Sequence, residues 1–523
     1  MKKLSIHTFL ILAFLVGCAE KTTDINMIPL TTTSDQARVL MRQFLLNLEE
    51  LKWESNEELL GQVLKEDPEF VYAKIYPATL NYGSRDKTRS QLVSAYENRS
   101  SVSDIERGII EAVYSRIVKG DIVSQNKILD ALISKHPQYY ELRMMSAQVK
   151  NDLANPEGVR QRLLELLELH PKSFYGHLRL SWLHFPTSEG NYLLPPDQID
   201  LGKAEKLLEK AQNILPDSSV PTRFLGNVYR AKGDLKKAGA AYEKTLELIK
   251  NKNSDSYAGA MHVLGHVKAF SGNYSDARVA YKKAVEAATT GDAKFDSAWM
   301  STHTYLYERN YNESLLALVE LQRAIKNFDE DEEWKARSTL FVEKEKFRAL
   351  SHTLNRAGSL ESLSAIRELS EKNLAMVLKR VQEENERQRI SRLVGLDFQE
   401  YQIWFDILFS EFTSAKKRLK KFKAAAEQTM AFNPNGMVPY FKLLGQLNLM
   451  EGNPADSIDA YSNVSEVFLA DDSYHKYFVA LAKKAQGDLD ESKKLFESVA
   501  SYNFATWQSA LVKNLAKDQL ESW

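Results

Sequence analysis

The chain has 523 residues, and its 69 basic and 70 acidic side chains give a formal net charge of −1. This balance gives no electrostatic reason to expect a nucleic-acid partner. Glycine and proline number only 22 and 14, below the usual shares of about 7% and 5%. Few turn-forming residues in so long a chain predict long helices joined by short connections.

The first residues form a short basic start followed by an apolar run. Lys2 and Lys3 precede Leu4–Val16, which is mostly apolar. This run is too short to span a bilayer as a helix, which needs roughly 20 apolar residues. It fits the apolar centre of a secretory signal, and we therefore expect residues 1–17 to be a signal peptide.

The apolar run ends in Leu15-Val16-Gly17-Cys18, and Cys18 is the only cysteine of the chain. The motif resembles the lipobox of bacterial lipoproteins; the alternative is an ordinary signal peptide with a chance cysteine. The resemblance implies cleavage before Cys18 and acylation at that residue, and two or three acyl chains hold a protein firmly on a membrane. Ala19 resembles the residue that directs sorting to the outer membrane. We therefore expect a lipid-anchored protein of the bacterial cell envelope, at the outer membrane, with residues 18–33 as a lipidated flexible tether.

A helical repeat begins after the tether. Pro68, Pro137 and Pro171 each follow an apolar helix-forming stretch, and the last two are 34 residues apart. Proline cannot continue a helix, so each is predicted to end the second helix of a repeat unit. Residues 34–287 are predicted to form an N-terminal solenoid, interrupted by an insertion loop at 185–200, where the period breaks and three prolines, a glycine and an asparagine occur.

Two stretches of this solenoid align with each other. One has Leu225-Gly226, Tyr229, Gly233, Ala238 and Tyr242, and the other has Leu264-Gly265, Lys268, Gly272, Ala277 and Tyr281. Small residues at Gly226 and Ala238 are expected where the two helices cross, with Gly233 in the turn between them. The pattern resembles the tetratricopeptide repeat, and Lys268 departs from it.

The rest of the chain is also predicted to be helical. Residues 288–430 keep the helical pattern but lose the motif, which predicts longer, degenerate helical hairpins. Gly358 is expected to separate two of their helices, and Leu374–Val394 to form a single one. In residues 431–523 the motif returns, with Leu444-Gly445, Gly452, Ser457 and Tyr461 and then Ala480, Gly487, Ser492 and Phe496. The tetratricopeptide resemblance implies an all-α, right-handed superhelical solenoid of antiparallel helix pairs, closed by a capping helix.

The resemblance also implies where a partner binds. In tetratricopeptide proteins the first helices of successive units line a concave groove for a peptide or protein. The corresponding positions here are Arg223, Asn227, Arg230, His262, His266, Phe270, Lys442, Gln446, Tyr477 and Lys484. Arg223 with Asn227 resembles half of a clamp for a terminal carboxylate, but Val263 stands where the other half requires Asn.

No spacing typical of catalysis occurs in the sequence: it has no phosphate-binding loop, no Gly-x-Ser-x-Gly and no His-Glu-x-x-His. His262 and His266 could both bind one metal ion, but a metal site needs further ligands and the sequence indicates no candidates for them. We therefore expect no enzyme, no cofactor and no metal. The predicted function is that of a membrane-anchored scaffold that binds a protein or peptide partner. The alternative is a glycan- or nutrient-capture lipoprotein of the starch-utilisation type.

Overall fold

A computed structural model describes residues 27–52, 55–185, 194–381, 384–433, 435–470 and 472–523. These residues form helices, turns and loops, with no strand among them, so the predicted all-α class is confirmed. The chain divides into two compact units, up to Leu180 and from Ser181 onward. The predicted signal peptide, Cys18 and most of the insertion loop lie outside the described residues.

The helices of the first unit are α1 (Asp35–Glu49), α2 (Asn56–Glu66), α3 (Tyr76–Leu80), α4 (Arg85–Glu97), α5 (Asp104–Ile117), α6 (Ile122–Lys135), α7 (Glu141–Asp152), α8 (Pro156–Leu169) and α9 (Phe174–Ser181). Pro68, Pro137 and Pro171 each lie two residues beyond the end of α2, α6 or α8. This confirms that each of these prolines follows the second helix of a pair.

The helices of the second unit are α10 (Leu201–Ile214), α11 (Ser219–Ala231), α12 (Leu235–Leu248), α13 (Asp255–Phe270), α14 (Tyr274–Ala287), α15 (Gly291–Tyr307), α16 (Tyr311–Ile325), α17 (Glu332–His352), α18 (Arg356–Leu378), α19 (Glu384–Leu408), α20 (Phe412–Glu427), α21 (Val438–Met450), α22 (Pro454–Ser462), α23 (Glu466–Ala470), α24 (Ser473–Ala485), α25 (Leu489–Ser501) and α26 (Trp507–Glu521). From α10 to α18 each helix packs against the next along the chain. The last helix, α26, packs against α24 and α25 and also against α15.

Small residues allow the two helices of a pair to approach closely. A Cβ atom at Gly226 would lie 2.2 Å from the ring of Tyr242, and one at Gly445 would lie 2.5 Å from the ring of Tyr461. On the second helix, Ser457 Oγ donates a hydrogen bond of 2.7 Å to the carbonyl oxygen of Gly445. The aligned positions therefore face each other within one unit, as their spacing predicted.

From α11 onward, the turn between paired helices has the same form. One residue with a positive φ lies two positions after the first helix and two before the second. Glycine occupies this position at Gly233 and Gly272, whereas Arg309, Leu354 and Ser410 adopt it in the middle of the chain. The middle pairs thus keep the turn of the repeat without its glycine.

The predicted long helices of the middle segment are present, but two boundaries differ. Gly358 does not separate α17 from α18; it lies in the first turn of α18, where its N–H donates to Asn355 Oδ1 at 3.0 Å. The single helix predicted over Leu374–Val394 is also wrong, because α18 ends at Leu378 and α19 begins at Glu384. Arg387 donates hydrogen bonds to the carbonyl oxygens of Leu378 and Val381. A local side-chain contact therefore satisfies carbonyl groups at the end of α18, and no glycine or proline of the sequence marks this end.

The predicted tether is wrong over its last residues. Ile28 is 1% exposed, and its N–H donates to Glu141 Oε1 at 3.0 Å. Thr31 donates its N–H to Glu106 Oε1 at 2.8 Å. Two buried carboxylates thus bind this segment to the first unit. Its polar composition gave no indication of these contacts, because the carboxylates lie far away in the sequence.

Candidate functional site

The predicted groove residues of the central repeats come together on α11 and α13. Arg223, Asn227 and Arg230 lie on α11, and His262, His266 and Phe270 lie on α13. The rings of His262 and His266 are 4.4 Å apart, and the Arg230 guanidinium carbon lies 5.8 Å from the centre of the Phe270 ring. A Cβ atom at Gly259 of α13 would lie 3.0 Å from Arg223 Nη1. The two helices therefore present one continuous polar and aromatic face, here called the inner face.

Tyrosines of the second helices hold the polar side chains of the inner face. Tyr242 donates its hydroxyl proton to Asn227 Oδ1 at 2.6 Å. Tyr281 makes a hydrogen bond of 2.7 Å with His266 Nδ1. Both tyrosines are residues of the repeat motif. The residues that pack the repeat therefore also fix the orientation of its inner-face side chains.

The inner face carries positive charge without a counter-ion among the described residues. Among the described residues, neither Arg223 nor Arg230 forms an ion pair with a carboxylate, and Arg223 Nε, Arg230 Nε and Arg230 Nη1 are buried without a hydrogen-bond partner. Burial, together with the neighbouring Arg230, lowers the pKa of Arg223. An unpaired buried charge raises the free energy of the folded protein, so this face favours binding of an anionic ligand.

The two histidines stay neutral in this environment. Burial and the nearby Arg223 lower the pKa of His262 to about 3. Burial and His262 hold the pKa of His266 well below its ordinary value. His262 Nδ1 also makes a hydrogen bond of 3.0 Å with Ser297 Oγ of α15. Within the described part of the chain no cluster of three or more metal-ligating side chains is found.

The C-terminal segment covers one end of the inner face. The Arg230 guanidinium carbon lies 4.4 Å from the centre of the Phe504 ring, and Lys513 Nζ lies 5.5 Å from the centre of the Phe270 ring. Arg230 and Phe270 are consequently only 1% and 7% exposed. Arg223 and His262, toward the other end of the same helices, remain partly exposed.

The four predicted C-terminal groove residues have internal partners. Lys442 forms an ion pair of 2.7 Å with Asp472, and Gln446 donates to the Tyr474 hydroxyl at 3.1 Å. The Tyr477 ring lies 5.5 Å from that of Phe496, and Lys484 Nζ donates to Gln519 Oε1 at 2.9 Å. Lys442 also lines a cavity.

That cavity was not predicted from the sequence. It has a volume of about 190 Å³ and is bordered by side chains of α17, α19, α21, α24 and α26. Arg348, Glu400, Trp404, Asp472 and Trp507 are among its lining residues. They are scattered over the second half of the chain, so no local motif could have identified them.

The first residues of the chain, including Cys18, lie outside the described residues. Among the helices that are described, none combines the length and the hydropathy needed to cross a bilayer.

The part of the chain that carries the inner face matches a known protein family. The family model of the tetratricopeptide repeat matches residues 218–290, which contain both α11 and α13. No curated protein matches the chain.

Several solved structures resemble the chain. The crystal structure of MamA is 21% identical with a TM-score of 0.27, and the match covers 34% of this chain and 93% of that one. For a thermophilic tetratricopeptide repeat protein of Thermus thermophilus the identity is 19% and the TM-score 0.30, over 37% and 97% of the two chains. For a tetratricopeptide repeat protein from Parabacteroides merdae the values are 15% and 0.33, over 50% and 99%.

Proposed function

We propose that this chain, whose residues 218–290 match the tetratricopeptide repeat, is a scaffold that binds an acidic segment of a partner protein. The segment binds on the inner face, at the end where Arg223 and His262 remain partly exposed. The observation that carries the proposal is the absence of a carboxylate beside Arg223 and Arg230 among the described residues.

The chemistry of the inner face supports an acidic guest. A partner carboxylate beside the exposed part of Arg223 would supply the missing counter-charge. Charge-assisted hydrogen bonds of this type are stronger than neutral ones. Asn227 is less available, because its Oδ1 already accepts from Tyr242. Arg223 is therefore the residue on which recognition depends.

We also propose that Cys18 anchors the scaffold to the outer membrane of a bacterial envelope. The support is the Leu15-Val16-Gly17-Cys18 motif and the lack of any second cysteine in the chain. Cells fed a labelled fatty acid should incorporate the label into the wild-type protein but not into Cys18→Ser. Equal labelling of the two would contradict the anchor without affecting the proposal about the inner face.

Site-specific photo-crosslinking in the native cells tests the binding proposal. Ser219 lies one helical turn before Arg223 on the same face of α11, and a photoreactive residue there should form adducts with a bound partner. Lys236, exposed on α12 of the same repeat and without a hydrogen-bond or ion-pair partner among the described residues, is the matched control. A distinct adduct at 219 and none at 236 supports the proposal, and indistinguishable adducts at both contradict it.

A further inference from the structure

We propose that the cavity between α17, α19, α21, α24 and α26 binds a small molecule carrying a primary ammonium group, which pairs with Glu400. The inference goes beyond the scaffold function and does not depend on it. The evidence for it is the shape of the cavity, the internal pairing of its cations and one carboxylate, that of Glu400, without a partner among the described residues.

Aromatic rings form much of the cavity wall. Tyr401, Trp404 and Trp507 all line it, and the rings of Trp404 and Trp507 are 5.4 Å apart at an angle of 51°. Trp404 Nε1 donates to the Tyr474 hydroxyl at 3.2 Å, which fixes the position of its ring. Faces of tryptophan and tyrosine rings attract cations through their quadrupoles. Arg348 already lies over the rings of Tyr401 and Trp507, so among the described residues the Trp404 ring is the one left for a positively charged ligand.

The two cations that line the cavity already have internal acidic partners. Arg348 forms an ion pair with Glu345 and donates to the Tyr401 hydroxyl at 2.6 Å. Its guanidinium carbon lies 4.3 Å from the centre of the Trp507 ring. Lys442 pairs with Asp472 at 2.7 Å. Neither cation is therefore left over for a bound anion.

Glu400 is the charged group of the cavity without a partner. Among the described residues its carboxylate makes no hydrogen bond and no ion pair, and its side chain is only partly exposed. Burial and the neighbouring Asp397 raise the pKa of Glu400 to about 7. Burial also lowers the pKa of His475, another lining residue, to about 4, so this imidazole is neutral at pH 7. Asp397 is paired with Lys344. With Arg348, Lys442 and Lys344 against Glu345, Asp472, Asp397 and Glu400, the cavity and its surroundings carry one uncompensated negative charge once Glu400 is ionised.

These features select the class of ligand. An ammonium group can donate hydrogen bonds to Glu400 while its methylene carbons contact the tryptophan rings. An anion of the same size would meet Glu400 and Asp472 at short range, where like charges repel. The small volume of the cavity, about 190 Å³, favours a small molecule over a protein segment.

Ligand-observed saturation-transfer NMR on the full chain, at about pH 8, tests the proposal. The probes are butylammonium, butanol and butyrate, which share a carbon chain but differ in charge. The expected order of saturation transfer is butylammonium first, with butanol and butyrate at least about tenfold weaker in affinity, which corresponds to about 1.4 kcal/mol. Butyrate or butanol binding as tightly as butylammonium, or no binding of butylammonium, would overturn the proposal.

Two variants locate the binding. Glu400→Gln keeps the size of the side chain and removes its charge, and should weaken butylammonium binding by about tenfold or more. Glu361→Gln, at an exposed position on α18 without a partner among the described residues, should leave it unchanged. Undiminished binding to Glu400→Gln would overturn the assignment. Because the comparison of the three probes uses the wild-type chain, it decides the question even if a variant fails to fold.

Discussion

The ring of Tyr242 lies directly against the backbone of Gly226, so close that a Cβ atom at that position would be 2.2 Å from the ring. The same tyrosine holds Asn227 of the inner face through its hydroxyl. One contact thus joins the packing of the repeat to the orientation of a side chain in the candidate site.

Replacing Gly226 with alanine should force these two helices apart. We expect Gly226→Ala to lower the free energy of unfolding by about 1–3 kcal/mol, the usual cost of overpacking a close contact. Urea denaturation followed by far-UV circular dichroism measures the change. Gly395→Ala is the control, because no atom lies within 4 Å of its added Cβ; it should be neutral or stabilising by up to about 1 kcal/mol. Equal effects of the two changes would contradict the contact.

The turn between α13 and α14 depends on backbone conformation rather than space. Gly272 has a φ of +82°, and nothing lies within 4 Å of an added Cβ. Gly272→Ala should therefore destabilise by about 1 kcal/mol through strain in the left-handed region. Gly239→Ala, inside α12 with its nearest contact at 3.7 Å, should stabilise by about 0.5–1 kcal/mol. The same denaturation experiment decides the matter, and effects of the same sign would refute it.

The covering of Arg230 by the C-terminal segment predicts a strong effect at Phe504. This ring is 1% exposed, and its removal should cost about 3–5 kcal/mol in free energy of unfolding. Phe504→Ala should also speed amide hydrogen exchange at the end of α11, where Phe504 lies against Arg230. Phe432→Ala, at a ring that is 38% exposed, should have little effect on either measurement. Unaltered exchange in Phe504→Ala would show that the segment does not protect the inner face.

The first unit should become less stable as pH rises through neutrality. Burial raises the pKa of Glu141 to about 7 from its usual 4.5, so the unfolded chain releases this proton more readily than the folded one. The stabilisation is fully present below pH 4.5 and is lost as pH rises through about 7, with a total of roughly 3 kcal/mol.

Glu141→Gln tests this dependence, since it cannot ionise and can still accept from Ile28. Thermal denaturation between about pH 4.5 and 7.5 should show the wild type losing stability relative to Glu141→Gln. Glu66→Gln, at an exposed position without a partner among the described residues, should follow the wild type. Parallel curves for the wild type and Glu141→Gln would rule the effect out.

The repeats could be predicted because their signal is local. Gly226 and Tyr242 belong to adjacent helices, so one motif of fixed spacing reports their contact. The motif did not predict the helix pairs that are joined at Leu354 and Ser410, because residues other than glycine adopt the left-handed turn conformation there. In the pair formed by α15 and α16, Ser314 Oγ donates a hydrogen bond to the carbonyl oxygen of Thr302. Ser457 donates in the same way to the carbonyl oxygen of Gly445. A serine in place of the usual alanine is the sequence signal that could have extended the repeat.

The motif predicted the position of the inner face, but it did not predict that the C-terminal segment covers one end of that face. Phe504 reaches Arg230 from a distant part of the chain, and no periodicity connects the two. The cavity at Glu400 is a similar case, because its walls come from five helices that meet only in the folded unit. Local patterns therefore predict helix pairs and the residues on their faces, whereas long-range packing decides which of those faces stay open.

The central claim is that the charge of Arg223 recruits an acidic segment, and the yield of photo-adducts at position 219 measures it most directly. We predict that Arg223→Gln reduces this yield about tenfold or more, whereas Arg223→Lys, which keeps the charge, retains a large part of it. Adducts at position 219 that are equally abundant with arginine, lysine and glutamine at position 223 would contradict the account.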